Sequence, residues 1–184
     1  MISVTIKRKV SNESDEAKAL RDKMLGSLIK SFNNKNIKVS NSGKPYLENR
    51  EVGFSVSHSG NGILVAVNHS KRVADSFAYF DGGESYDIGA DIEALGIRNI
   101  ENLNKLCDRK FSAAEVSVVE KSANKELAIL EIWTKKEAYL KLIGIGIKGI
   151  ADADTEALKK DYIFYSKKVS LDGDEFVFSI CVKR

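Results

Sequence analysis

Gly89-Ala90-Asp91-Ile92-Glu93 is the stretch that most narrows what this chain can become. Read as the end of a strand, it sends Asp91 and Glu93 to one face and Ile92 to the other. Ile92 is therefore expected in the core and is no ligand candidate. Gly89 and Ala90 keep side-chain bulk small just before the carboxylates. A second stretch, Trp133-Thr-Lys-Lys-Glu-Ala-Tyr-Leu-Lys141, reads as a helix whose period stacks Glu137 and Lys141 one turn apart. If that helix packs beside the strand, Glu137 becomes a third carboxylate and Lys141 a neighbouring cation. Such a set suits a hard divalent ion holding a phosphate, because Mg²⁺ takes oxygen ligands and keeps positions for substrate phosphates. Taken by itself, the Glu137/Lys141 pair reads as an exposed i,i+4 ion pair worth only about 0.3–0.5 kcal/mol.

The remaining chain alternates short strands with helices. Ile2, Val4 and Ile6 share one face of a first strand. Ser14 fits an N-cap, and a helix to about Phe32 carries Leu20, Met24, Leu28 and Phe32 as its stripe. Ile37 to Val39 suggests a short strand before a turn at Gly43-Lys44-Pro45, where Lys44 by itself is a surface lysine. Val52 to Gly60 alternates Phe54 and Val56 with Ser55 and Ser57. It ends in small hydroxyls and glycines, which can expose backbone N–H groups to phosphate oxygens. His58 there reads alone as a structural or solvated histidine, and the usual elbow of a nucleophilic serine is absent. Ile63 to Val67 is a buried strand, and residues 68–87 are an extra hairpin or a flap.

Beyond the acidic strand, Arg98 to Cys107 reads as a loop and short helix. Ser112 and Glu115 have the spacing of a capping box. A long helix is expected from Asn124 to Ile143, with Ile129, Ile132, Leu140 and Ile143 on its buried side and Gly144 as its stop. The chain closes with a hairpin pairing 162–169 with 175–182 across Asp172-Gly173, its core side being Phe176, Phe178, Ile180 and Val182. The order strand, helix, strands recurs loosely in each half, with the break near residues 85–88.

Composition narrows the classes of function. A net charge of +3, from 29 basic and 26 acidic side chains, is not that of a strongly basic nucleic-acid binder. No apolar run reaches membrane-spanning length. The first residues hold no basic-then-apolar leader. Cys107 and Cys181 form neither a metal spacing nor a disulfide framework, so free thiols in a reducing compartment are expected. These readings predict a cytoplasmic monomer without nucleic-acid or membrane partners.

Four motifs occur in order over residues 43–146: Gly43-Lys-Pro45, Phe54-Ser-Val-Ser-His-Ser-Gly60, Ile88-Gly-Ala-Asp-Ile-Glu93 and Trp133-Thr-Lys-Lys-Glu-Ala-Tyr-Leu-Lys141, the last followed by Leu-Ile-Gly144-Ile-Gly146. Together they resemble the signature set of 4'-phosphopantetheinyl transferases of the surfactin-synthetase type. The resemblance implies an α+β fold of two similar α/β halves, residues 1–87 and 88–184, joined as a pseudo-dimer with coenzyme A in the cleft. It implies a Mg²⁺-dependent holo-[acyl-carrier-protein] synthase. Such an enzyme moves the phosphopantetheine arm of coenzyme A to a serine of an acyl or peptidyl carrier protein and releases adenosine 3',5'-bisphosphate. Carried over by motif, Asp91, Glu93 and Glu137 are the metal-site carboxylates, and Glu137 is also the base for the carrier serine. Lys44, beside Pro45, faces the 3'-phosphate or adenosine side of coenzyme A. Ser57 and His58 meet its phosphates, and Lys141 sits on the pyrophosphate. Asp91, Glu137, Lys141 and His58 are thus the expected catalytic set.

The match has departures. Residues 1–42 are fewer than the family leads one to expect before Gly43, so a shortened first half is anticipated. Lys7, Arg8 and Arg21 are the only guesses for basic partners of the 3'-phosphate there. Arg98, Lys105, Arg109 and Lys110 are candidate contacts to an acidic carrier, or else an ordinary solvated helix face. A degenerate family member that binds coenzyme A or a carrier without turnover is the competing reading. An unrelated phosphohydrolase fits less well, since two-metal sites call for more acids than these.

Overall fold

A computed structural model describes residues 1–9, 14–30, 32–41, 43–49, 52–69 and 88–184. The readings of residues 70–87, of the break near 85–88 and of the Ser14 side chain as a cap lie outside what is described. Strands β1 (Ile2–Arg8), β4 (Gly53–Ser59) and β5 (Gly62–Asn68) form an antiparallel three-stranded sheet in the order β1-β5-β4. Strands β6 (Gly89–Ala94), β7 (Tyr162–Leu171) and β8 (Asp174–Lys183) form a second antiparallel sheet in the order β6-β8-β7. Between β1 and β4 lie α1 (Ser14–Leu28) and a small ladder of β2 (Ile37–Val39) with β3 (Pro45–Leu47). Between β6 and β7 lie α2 (Ile100–Lys110), α3 (Ala113–Glu120), α4 (Lys125–Ile143) and α5 (Thr155–Leu158). No helix among the described residues is long and apolar enough to cross a membrane.

The alternation of side chains sets the layering. On β5, Ile63, Val65 and Val67 pack with Met24, Leu25 and Ile29 after and along α1, while Leu64 and Ala66 face the second sheet. Both faces are covered, which is why β5 reads as an unbroken apolar run. On β8, Phe176, Phe178, Ile180 and Val182 face the first sheet as expected. Val177 and Cys181 face the helical side, where they join the α4 residues Ile129, Leu130, Ala138 and Leu142. The order of layers is therefore α1, first sheet, second sheet, α4. The β7–β8 hairpin runs on to Leu171 and Asp174, longer than expected, around Asp172 and Gly173 with φ of 51° and 88°. Two central residues with positive φ match the twist of the flanking strands.

Three elements differ from the sequence reading. Helix α1 stops at Leu28, and its deepest residues are Met24 and Leu25 rather than a strict i,i+4 line. Such a line drifts around a 3.6-residue helix, so the buried face takes i+1 and i+5 neighbours as well. Pro45 begins β3 instead of a free turn, paired opposite Val39. The loop and short helix expected from Arg98 to Cys107 are present, but the helix, α2, runs three residues further to Lys110; it is started by Asn99, whose side chain accepts from Asn102 N. Leu103 and Cys107 bury it against α4.

Helix α4 runs as expected from its Asn124 cap to Gly144, which takes φ 74°. Its backbone rests on β6 at Gly89. A Cβ built at Gly89 falls 1.8 Å from Ala138 O and 2.6 Å from Leu142 N. Both obstacles are backbone and cannot rotate away. Gly89→Ala should force α4 off β6 at a cost of about 1–3 kcal/mol or more. Scanning calorimetry should then show a melting point lower by several degrees, and an unchanged one would mean that the contact is loose.

Below α4, Lys136 and Glu115 form an ion pair at 2.8 Å with both side chains 0% exposed. Glu115 Oε2 also accepts from Ser112 N, and Oε1 accepts from Thr155 N and Thr155 Oγ1. Lys136 donates to Ala153 O and stands over the Phe111 ring. The capping box at Ser112 is present. Glu115 is thus more than a cap: it ties α3, α4 and α5 together.

Candidate active site at the seam between the sheets

The two sheets meet where β4 lies along β6. Phe54 packs toward α1, so Ser55, Ser57 and Ser59 turn to the other face. Ser55 Oγ accepts from Ala90 N at 2.9 Å. Ser57 Oγ donates to Asp91 Oδ1 at 2.6 Å, and Ser59 Oγ donates to Glu93 Oε2 at 2.7 Å while accepting from Ala94 N at 3.1 Å. Serine hydroxyls therefore stand where a further strand's backbone would otherwise pair with the edge of β6.

Asp91 and Glu93 lie on the α4 side of β6, and Ile92 lies in the core on the other. Lys141 of α4 reaches Asp91 Oδ1 at 2.6 Å and Ser57 Oγ at 2.8 Å. It does not form the exposed i,i+4 pair with Glu137 that the spacing allows. Asp91 Oδ2 is buried without a partner among the described residues. Arg98 holds Glu93 Oε1 at 2.9 Å and lies 6.0 Å from the centre of the Trp133 ring. Burial raises the Glu93 carboxyl above its ordinary range, opposed by the Ser59 hydrogen bond and the Arg98 charge.

Glu137 completes the cluster from α4. Burial pushes its carboxyl up to about 7, and the negative charge of Asp91 adds to the rise. Lys141, committed to Asp91, offsets this only in part. Three carboxylates thus influence one another with too little positive charge among them. Among the described residues no group of three or more acids, histidines or cysteines is closed to metal-holding geometry. That is compatible with Mg²⁺, which is usually held by one or two carboxylates plus substrate phosphates. The orphaned Asp91 Oδ2 and the only partly compensated Glu137 fit such a cation: each is a carboxylate oxygen short of a partner or of counter-charge among the described residues.

The other expected residues are placed as follows. Ser57 belongs to the cluster, but His58 does not join it. His58 follows Ser57 on an alternating strand, and its side chain is exposed on the opposite face. Lys44 donates to Leu142 O at 2.7 Å, one of the terminal carbonyls of α4. Pro45 is half-buried beside it in β3. Arg8 pairs with Asp174 and Arg21 with its neighbour Asp22, away from the carboxylates. Lys105 pairs with Glu101, and Arg109 and Lys110 occupy the last turn of α2. Two participants escaped the sequence reading, Ser59 and the Arg98 contact to Glu93. Ser59 had a signal, since it continues the every-second-residue serines at 55 and 57.

Comparison with known proteins bears on this cluster. A family model for the 4'-phosphopantetheinyl transferase superfamily matches residues 87–178, half of the chain. The 4'-phosphopantetheinyl transferase HetI of Nostoc sp. is 33% identical over 118 residues, which cover 61% of this chain and 43% of HetI. The fatty acid synthase subunit alpha of Penicillium patulum is 30% identical over 84 residues, covering 46% of this chain and 4% of that subunit. That of Candida parapsilosis is 34% identical over 65 residues, 35% of this chain and 3% of the subunit. The chain thus spans less than half the length of each of these relatives.

Proposed function

The chain belongs to the 4'-phosphopantetheinyl transferase superfamily, and we propose that it transfers the phosphopantetheine arm of coenzyme A to a serine of an acyl or peptidyl carrier protein. The observation that carries this reading is the convergence of Asp91, Glu93 and Glu137 with Lys141 where β6, α4 and β4 meet. We assign the surfactin-synthetase type from the four ordered motifs. The matching strand orders, β1-β5-β4 and β6-β8-β7, support two similar halves, residues 1–87 and 88–184, arranged as a pseudo-dimer.

In this reading Asp91, Glu93 and Glu137, which do not form a closed metal site in the free chain, would hold Mg²⁺ once the diphosphate supplies further oxygens, and the cation would neutralise charge there. The carrier serine oxygen forms the new bond to phosphorus, and the bond to adenosine 3',5'-bisphosphate breaks. Glu137 takes the serine proton, a role open to a carboxylate within hydrogen-bond reach of the hydroxyl. Lys141 turns from Asp91 far enough to meet the pyrophosphate, where its charge stabilises the leaving group, while the Ser57 hydroxyl stays on Asp91 and lines the same phosphate site. Lys44 serves the adenosine side. Arg98, Lys105, Arg109 and Lys110 offer an acidic carrier a basic approach along the start and outer length of α2.

Incubation with coenzyme A, Mg²⁺ and a panel of apo carriers from fatty-acid, polyketide and nonribosomal systems should add the arm's mass to at least one carrier. Folded protein that modifies none overturns the proposal; tight coenzyme A binding without turnover would instead mark a degenerate binder. Asp91→Asn should slow transfer on the order of 100-fold, the equivalent of about 3 kcal/mol of charge stabilisation, and chelation of divalent ions should stop it. A full rate in either case removes the cation from the mechanism.

A further inference from the structure

We infer that Ser59 is a positioning residue that aims Glu93 at the divalent cation, an inference resting on the cation site proposed above. A hydroxyl has a single proton to give. Ser59 Oγ accepts from Ala94 N, a backbone donor with no other role to take, so its proton is committed to Glu93 Oε2. Ser57 repeats the device on Asp91, with Lys141 as the incoming donor. Ser55 repeats it a third time, but its partners are the N–H and carbonyl of Ala90, and no carboxylate is involved. One face of β4 thus carries three hydroxyls at a spacing of two, two of which each orient a carboxylate of the other sheet.

The opposite oxygen of Glu93 is held differently. Arg98, which takes Oε1, is 39% exposed. It is a long side chain with solvent to turn to, and a cation or a phosphate can displace it. Ser59 is anchored in a strand hydrogen-bonded along its length to β5. Once Arg98 yields, Ser59 alone among these two partners keeps the carboxylate from swinging. Outer partners of this kind fix ligand orientation, and their loss typically lowers metal affinity about 10- to 100-fold.

The test uses Mn²⁺ as the probe, titrated into the full chain in the presence of saturating coenzyme A, which supplies the phosphate oxygens, and followed by electron paramagnetic resonance. Ser59→Ala should weaken Mn²⁺ binding about 10- to 100-fold, and Ser59→Thr, which keeps the hydroxyl, should restore it. Ser55→Ala removes the equivalent seam bond and should lower the melting point as Ser59→Ala does, yet leave Mn²⁺ affinity unchanged. In transfer assays the Ser59→Ala defect should appear as a higher Mg²⁺ requirement and recover at saturating Mg²⁺. Equal Mn²⁺ affinity in Ser59→Ala and wild type overturns the inference, as does equal weakening by Ser55→Ala. Wild-type protein that modifies a carrier but binds no Mn²⁺ also overturns it and leaves transfer standing. Conversely, Ser59-dependent Mn²⁺ binding in a protein that modifies no carrier upholds the inference and removes the transferase reading.

Discussion

Lys136→Met should destabilise the protein by about 3–5 kcal/mol, the usual consequence of stripping one partner from a buried ion pair. Lys136 and Glu115 are both sealed from solvent. Without the ammonium, Glu115 keeps its three hydrogen bonds from Ser112 and Thr155 but loses the one counter-charge at contact distance among the described residues. It must then ionise at great cost or take a proton and give up an acceptor. Ala153 O loses its donor as well. For a chain of this length the melting point should fall on the order of 10 °C. Urea titration is the check: the midpoint should drop with little change in slope. Adding Glu115→Gln should recover part of the loss, because the neutral amide no longer needs a cation. A shift below about 1 kcal/mol, the range of ordinary surface pairs, would mean that water reaches Glu115.

Glu137→Gln should have two opposite effects. Transfer should fall on the order of 100-fold or more, since in the proposed mechanism the variant loses both a cation ligand and the acceptor of the serine proton. The metal-free protein should meanwhile become more stable at neutral and alkaline pH. The wild-type carboxyl moves from an ordinary 4.5 to about 7 on folding. Between those values the folded state holds a proton that the unfolded state has released, so wild-type stability falls as pH rises through this window. Below it both states are protonated and nothing is lost; above it the loss is complete and constant. Glutamine has no such transition. The melting-point gap between variant and wild type should therefore open from about pH 4.5 to 7 and then level off. Glu137 is half-buried, so solvent screening makes the gap smaller than the full shift implies. Mg²⁺ should narrow it by stabilising the wild type alone. Parallel melting curves across pH, with and without Mg²⁺, would show that Glu137 is not strained by its neighbours.

Much of this architecture was readable residue by residue. Asp91 and Glu93 share a face because a strand has a period of two, and no tertiary information is needed for that. Asn124 and Gly144 mark the ends of α4 by side-chain capping and positive φ, both local effects. Asp172-Gly173 announces its hairpin for the same reason. Less legible was how the charges choose partners. Lys141 had Glu137 one turn away and Asp91 fifty residues distant, and it pairs with Asp91. Spacing along a helix states who can meet; it does not state which meeting is drier, and the buried partner wins because charge interacts more strongly there. Lys136 looked like its neighbour Lys135, yet Lys135 pairs near the surface with Glu131 while Lys136 is fully enclosed. That difference depends on what α3 and α5 cover. The motif places Ser57 and His58 together, while the alternation of the strand, readable from Val52 to Gly60, sends them to opposite faces.

Local order was legible from residues alone: the strands and helices, the acidic face of β6, and the placement of Glu137 and Lys141 on one side of α4. These follow from backbone periodicity and caps, which act over a few residues. Only the tertiary structure decided that the serines of β4 close on the edge of β6, that Gly89 lets α4 sit against that strand, and that Asp91 Oδ2 is left buried without a partner among the described residues. Each of those depends on the distance and solvent exclusion between segments far apart in the chain, and no short-range preference encodes either quantity.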